Sequence, residues 1–150
     1  MNSSKQDEIV SLSHLQVSDI EALLQLCDLP FEDCQLQVDN FAGIIVAGKL
    51  IATGALQYEG SVALLRSIAV HPNSRGRGLA GMMTRYLLEQ ARTREVKQLY
   101  ILTETAETYF ARFEFYPILR EAAPASIQAT QQFESLCPAS AQAMRLDLQQ

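Results

Sequence analysis

Ser67–Gly81 reads S-I-A-V-H-P-N-S-R-G-R-G-L-A-G, and its reading decides the fold. An apolar run closes at Val70, a short polar loop containing Pro72 follows, and an amphipathic helical pattern starts directly after Gly78. Small residues at a helix start let a ligand approach the backbone closely. The unpaired N–H groups there, with the positive end of the helix dipole, suit a phosphate. The stretch therefore reads as strand, loop and helix N-terminus around a pyrophosphate seat.

Upstream, Ile9–Leu12 reads as a short strand. Ser18-Asp19-Ile20-Glu21 matches a capping box, and Ile20, Leu23, Leu24 and Cys27 continue with helical spacing until Asp28-Leu29-Pro30 breaks it. A short helix is expected over Phe31–Val38. Phe41–Ala47 and Leu50–Tyr58 are apolar strands flanking Gly48-Lys49, a two-residue hairpin signal. Glu59-Gly60 then turns the chain into Val62–Val70, so three consecutive strands are expected to be antiparallel neighbours.

Downstream, Leu79, Met82, Met83, Tyr86, Leu87 and Ala91 line one helix face and read as core packing. Leu99–Thr103 is a strand reached by a helical crossover, hence parallel to Val62–Val70 or to a neighbour of it. A helix over Ala106–Phe113, a strand over Tyr116–Arg120, a helix over Ala125–Gln132 and a closing strand over Ala143–Leu148 complete the pattern. The fold class is α/β with a mixed sheet, antiparallel early, around one parallel β-α-β unit.

A chain of 150 residues without repeat or linker is expected to be one domain, 1–150. No run approaches the roughly 20 apolar residues of a membrane span, and MNSSKQDE lacks a hydrophobic signal region, so a cytoplasmic protein away from membranes is expected. The net charge of −5 disfavours nucleic acid as a partner, although Arg66, Arg75 and Arg77 gather positive charge in and before the seat. Cys27, Cys34 and Cys137 form no CxxC pair, so no metal site is expected and the thiols read as buried packing residues. Cys137 has no matched histidine for nucleophilic work, and His14 and His71 read as exposed or capping.

Gly76-Arg77-Gly78-Leu79-Ala80-Gly81 formally matches GxGxxG, with Glu104 about 20 residues on where an acid binds ribose. A dinucleotide-dependent oxidoreductase is therefore one reading. Against it, His71–Arg75 intervene between strand and first glycine, and antiparallel hairpins precede the motif. The other reading is a resemblance. Arg75-x-x-Gly78-x-Ala80 resembles the R/Q-x-x-G-x-G/A signature of the GNAT (Gcn5-related N-acetyltransferase) superfamily, with strand, hairpins and the Ala106–Phe115 segment falling where that fold has its elements. LLRSIAV (Leu64–Val70), TAETYFARFEF (Thr105–Phe115) and ATQQFESLCPASAQAM (Ala129–Met144) resemble its arsenic-resistance branch, related to enzymes acetylating amino-acid-like arsenicals and phosphinates.

The resemblance implies a GNAT-like, mostly antiparallel mixed sheet with flanking helices, and an acyltransferase using acetyl-CoA as co-substrate. Backbone groups of Ile68, Ala69 and Val70 would pair with the pantetheine arm, and an N–H near Ile68 would polarise the thioester carbonyl. N–H groups of Arg75, Gly76, Arg77, Gly78, Leu79 and Ala80 would hold the pyrophosphate. Transfer would be direct, to the amine of a small, acidic or amino-acid-like molecule, with homodimerisation left open.

Two departures stand out. Tyr109-Phe110 reverses the family's Phe-Tyr pair, placing Phe110 where a tyrosine protonates the leaving thiolate, and Glu114 replaces a glycine. Tyr109 is the substitute acid or simply a packing ring. Thr103 stands where many relatives carry an asparagine. Phe110 also keeps a second class open, a GNAT-fold protein that binds or senses acyl-CoA without turnover. Arg66, one charge inside an apolar strand, needs an anionic partner, either a substrate acid that it clamps or an internal carboxylate such as Glu104, unless a bulge turns it outward. Glu104, at the carboxyl end of a central strand, is placed to take the amine's proton through a water, and Glu107 is a rival.

Overall fold

Ala47 and Gly48 both adopt positive φ, +53° and +79°, and this pair closes the first hairpin in a computed structural model that describes residues 8–148. A two-residue turn matched to strand twist needs φ > 0 at both central positions. The turn is therefore Ala47-Gly48, one residue earlier than Gly48-Lys49. It joins β2 (Phe41–Val46) to β3 (Lys49–Glu59), and Gly60 at φ +70° lies in the turn from β3 into β4 (Val62–Val70). With β1 (Ile9–Ser11), β5 (Gln98–Thr103), β6 (Tyr116–Ile118) and β7 (Gln142–Asp147), the strands form a seven-stranded sheet in the order β1-β2-β3-β4-β5-β7-β6. The β4–β5 pair is parallel, as the crossover predicts, whereas β1–β2, β2–β3, β5–β7 and β6–β7 are antiparallel. β7 lies between β5 and β6, a placement no local pattern announces.

The chain divides into two compact units: residues up to Leu56 with Ser67–Glu89, and Gln57–Arg66 with the residues from Gln90 onward. In the first, α1 (Val17–Leu26) places Ile20, Leu23 and Leu24 in a core with Leu12, Cys34, Val38, Phe41, Leu50, Ala55 and Ala69. The capping box sits at Ser13–Gln16, not at Ser18, which lies inside α1. A 3₁₀ turn over His14–Gln16 leads directly into α1, so the first orphan N–H groups arise five residues earlier than expected. The expected helix over Phe31–Val38 is a series of turns ending in a 3₁₀ segment, Val38–Asn40.

Gly54 shows why α2 (Leu79–Thr93) packs where it does. A Cβ at Gly54 would come within 2.6 Å of Met83 Cγ and 2.7 Å of Leu87 Cδ1, so only glycine permits this approach. Leu79, Met83, Leu87 and Ala91 of the expected stripe are buried core, whereas Met82 and Tyr86 are half-buried at its edge.

In the second unit, Val62, Leu64, Tyr100 and Ala143 pack with Ala123, Ile127 and Phe133. The expected helix over Ala125–Gln132 splits into α4 (Ala125–Gln128) and a π-helical turn, Gln132–Leu136. α3 spans Glu107–Ala111, and β6 ends at Ile118, two residues short of Arg120.

Candidate functional site

Ser67 interrupts β4 with φ +63°, a left-handed conformation that costs an L-residue roughly 1–2 kcal/mol. The strain is held by a hydrogen bond: Thr53 Oγ1 donates to the Ser67 carbonyl at 3.0 Å. Ahead of this kink, β4 pairs with β5 only through Val62↔Gln98, Ala63↔Leu99 and Leu64↔Tyr100, while Leu65 and Arg66 continue β4 outside that register. A left-handed residue inside a strand re-aims the residues that follow it. Ser67 and Ile68 are half-buried, whereas Ala69 and Val70 are buried.

Beyond β4 the loop turns tightly. The His71 N–H donates to Ile51 O at 2.8 Å, and His71 Nδ1 accepts from the Asn73 N–H at 3.1 Å, so this histidine is a cap. Gly76 and Gly78 both lie at positive φ, +82° and +77°, and a Cβ at either would meet nothing within 4 Å. Their glycine identity thus serves backbone conformation and leaves open space above the loop. The N–H of Met82 donates to Gly78 O at 3.0 Å, starting α2, so the N–H groups just before it project from a helix N-terminus. The arrangement can cradle a phosphate with backbone donors.

Arg75 behaves differently from the simple expectation. Its Nε donates to Val70 O at 3.1 Å and its Nη2 to Cys27 Sγ at 3.5 Å, while the Cys27 thiol donates to the same Val70 carbonyl at 3.5 Å. Val70 O therefore accepts two hydrogen bonds from within the chain. Cys27 and Cys137 are half-buried, not fully buried as expected; only Cys34 is.

Arg66 is 4% exposed and its Nη1 donates to Gln57 Oε1 at 2.9 Å; Gln57 Nε2 donates in turn to Glu59 Oε2 at 3.1 Å. The strand arginine therefore has an internal polar partner. Glu104 is exposed at the end of β5 and accepts a hydrogen bond from Ser140 Oγ at 3.3 Å. Glu107 is the first residue of α3 and exposed. Thr103 Oγ1 accepts from the Ala106 N–H at 2.9 Å and so steadies the start of α3.

Tyr109 lies in an aromatic cluster: 5.3 Å edge-on to Phe110, 5.5 Å from Phe113, with the Arg112 guanidinium 5.4 Å above its ring. Phe110 is 8% exposed and packs 5.8 Å from Phe115. Glu114 adopts φ +76° after α3, and the Phe115 N–H returns to Phe110 O at 3.3 Å. The left-handed helix stop that favours glycine is retained with glutamate in its place.

Residues the sequence did not point to are Thr53, Gln57, Cys27, Arg120 and Ser140. Each acts through a partner 9 to 48 positions away, and no local spacing marks it. Among the described residues, no group of three or more His, Cys, Asp or Glu side chains is arranged to hold a metal ion, and no helix is long and apolar enough to cross a membrane.

The geometry can be set beside known proteins. A sequence model of the acetyltransferase (GNAT) family matches residues 11–117. An amino-acid acetyltransferase of Pectobacterium carotovorum is 27% identical over 105 residues, 69% of this chain and 24% of that protein, so the chain spans about a quarter of the relative's length. Among solved structures, Rv2747 of Mycobacterium tuberculosis in complex with CoA has a TM-score of 0.78 at 21% identity, covering 95% of this chain and 99% of that one. N-acetylglutamate synthase of Neisseria gonorrhoeae, complexed with coenzyme A and N-acetyl-glutamate, has a TM-score of 0.81 at 16% identity, covering 95% and 35%.

Proposed function

The chain belongs to the acetyltransferase (GNAT) family, and from that premise we propose that it transfers the acetyl group of acetyl-CoA to the amine of a small amino-acid-like molecule. The observation that carries this reading is the Ser67–Ala80 stretch. It combines a kinked strand, two left-handed glycines under open space and a helix start with projecting N–H groups. These donors fit a pyrophosphate, which needs backbone approach and positive potential rather than a side-chain cage. Family membership sets aside the dinucleotide reading of Gly76–Gly81.

Acetyl-CoA supplies an acyl group activated as a thioester. The chain's own residues do the rest. N–H groups from Arg75 to Ala80 hold the phosphates, and Ile68 and Ala69 offer backbone groups to the pantetheine arm, with an N–H near Ile68 to polarise the carbonyl. Glu104 accepts the amine's proton through a water, and its exposure leaves room for one. Ring contacts of the half-buried Tyr109 with Phe110, Phe113 and Arg112 support a packing role on α3, with the thiolate leaving without a dedicated acid. The bond from Arg66 Nη1 to Gln57 supports reading Arg66 as a residue that holds β4 rather than one that clamps the acceptor.

The amino-acid acetyltransferase relative and the likeness of Leu64–Val70, Thr105–Phe115 and Ala129–Met144 to the arsenic-resistance branch both support an amino-acid-like acceptor. The family match spans parts of both compact units, which supports one catalytic domain. Phe110, buried where a proton donor is usual, favours one other reading, an acyl-CoA sensor. Free-thiol release with acetyl-CoA and a panel of amino acids, polyamines, peptides and amino-acid-like arsenicals and phosphinates separates the two. Steady turnover with one amino-acid-like amine is expected. Tight acetyl-CoA binding without turnover across the panel would establish the sensor instead.

A further inference from the structure

The chain between the π-helical turn and β7, residues 137–141, belongs to no helix or strand, yet one side chain grips it at both ends. Arg120 Nη1 donates to Phe133 O at 3.2 Å, Nη2 donates to Pro138 O and to Ala141 O at 3.4 Å, and the guanidinium lies 6.0 Å from the Phe133 ring centroid. Pro138–Ala141 is itself a turn, closed by the Ala141 N–H to Pro138 O at 3.0 Å. Ser140 stands at its third position, and Ser140 Oγ is the donor to Glu104.

From this chain of contacts we infer that Arg120 is a positioning residue for the proposed reaction: by fixing the Pro138–Ala141 turn it fixes Ser140, and through Ser140 it orients the Glu104 carboxylate. The inference rests on the reading of Glu104 as proton acceptor. Three observations carry it. Ser140 and Glu104 are both exposed, and a hydrogen bond between two exposed side chains holds no fixed geometry unless one backbone is immobilised. Arg120 immobilises it on both sides of Ser140. The placement is also a poor device for stability alone, since Arg120 Nε is buried without a hydrogen-bond partner, a desolvation cost left uncompensated. Finally, gripping carbonyls in diverging directions needs the planar guanidinium fork, which a lysine cannot reproduce.

The arrangement limits where the carboxylate can point. With one oxygen held by Ser140, the other is left in a restricted orientation for the water that relays the amine's proton, which raises the fraction of productive encounters. Without the clamp, Glu104 remains present but samples many rotamers.

The test uses the full chain with Arg120→Lys, Ser140→Ala and Glu104→Gln, alone and combined. Arg120→Lys and Ser140→Ala are each expected to lower kcat by about tenfold while leaving KM for acetyl-CoA unchanged. The double variant should be no worse than the more affected single one, because both act through one carboxylate. In the Glu104→Gln background neither change should lower kcat further. Multiplying losses, or equal losses with and without Glu104, would overturn the relay. Two readouts do not depend on turnover. Amide exchange over residues 139–142 should speed up by about tenfold in Arg120→Lys. The Glu104 side-chain carboxyl carbon resonance should also move the same way in Arg120→Lys and Ser140→Ala. Unchanged exchange with an unmoved resonance refutes the clamp even in an active enzyme. A wild-type chain that releases no thiol with any amine refutes acetyl transfer, while faster exchange and a shared resonance change would still establish the clamp.

Discussion

The glycine loop and the segment from Thr103 to Ala141 are built on opposite plans. The loop, Val70–Leu79, takes its form from neighbours in sequence: Pro72, a histidine cap two residues from its donor, two left-handed glycines and a helix start. The later segment takes its form from side chains reaching far along the chain, Ser140 to Glu104 across 36 positions and Arg120 to Ala141 across 21. The difference matches the two tasks proposed for these regions. Holding a pyrophosphate needs backbone donors in one conformation, which local residue choice can impose. Orienting an acid toward a particular acceptor needs groups whose separation is set by packing, which local choice cannot impose.

The strongest way to break the comparison is Gly78→Asp. The substitution strains φ +77° by roughly 1–2 kcal/mol and places a carboxylate where the proposed phosphate seat offers its backbone donors. Open space above Gly78 means the fold should survive. Acetyl-CoA affinity is expected to fall by ~100-fold or more, about 2.7 kcal/mol, read by calorimetric titration on protein whose folding is verified by circular dichroism. Unchanged affinity would show that the loop is not the phosphate seat.

Arg66→Met probes the second plan. The change leaves Gln57 Oε1 without its buried donor, so stability should drop by about 1–3 kcal/mol, or roughly 2–10 °C in Tm. Losses in kcat/KM should be the same for acceptors with and without an acidic group. A selective loss for acidic acceptors at constant Tm would return Arg66 to the substrate.

Glu114→Gly sharpens the contrast from the other side. Glycine removes the left-handed strain at φ +76° but loosens the unfolded chain, so a net gain of about 0.5–1 kcal/mol in urea denaturation is expected. A loss would mean that the Glu114 side chain makes a compensating contact.

The smallest effect concerns the sheet edge. Tyr116 Oη donates to Asp147 Oδ2 at 2.9 Å, and Arg145 pairs with the same carboxylate at 2.8 Å. The Tyr116 hydrogen bond first, and Arg145 second, hold Asp147 below the ordinary carboxylate value, while burial and then the bond to Asp147 push Tyr116 above 10.0. A lowered acid stabilises above its unfolded value and loses that contribution as pH falls through the folded one. A raised tyrosine stabilises below 10.0 and loses it as pH rises. Tyr116→Phe should therefore lower Tm fully between about pH 4 and pH 10 and progressively less below and above that window, by at most a few degrees, since the pair is water-screened. An equal Tm difference at pH 3 and pH 7 would assign the effect to packing.

Several elements were legible because their cause is local. Val62–Val70 is bounded by a turn and a polar loop, and the observed strand has those limits. The helix stripe from Leu79 predicted burial of Met83 and Leu87, and Gly54 shows the close approach that enforces it. Elements failed where a distant contact overrode local preference. Ser18 has a good capping pattern, but the chain was already helical through Ser13 and Gln16. Tyr116–Arg120 has strand character, but Arg120 is drawn to carbonyls of the 133–141 segment and the strand stops at Ile118.

By itself, then, the sequence determined the order of the strands, the helix after Gly78, the parallel crossover and the left-handed glycine loop, because alternation, helical spacing and glycine conformation act over a few residues. Only the tertiary structure decided that β7 enters between β5 and β6, that Arg66 faces Gln57, that Ser140 meets Glu104 and that Arg120 grips the carbonyls on either side of Ser140. These pairings are set by which faces bury together, and burial is a property of the assembled core rather than of any window of sequence.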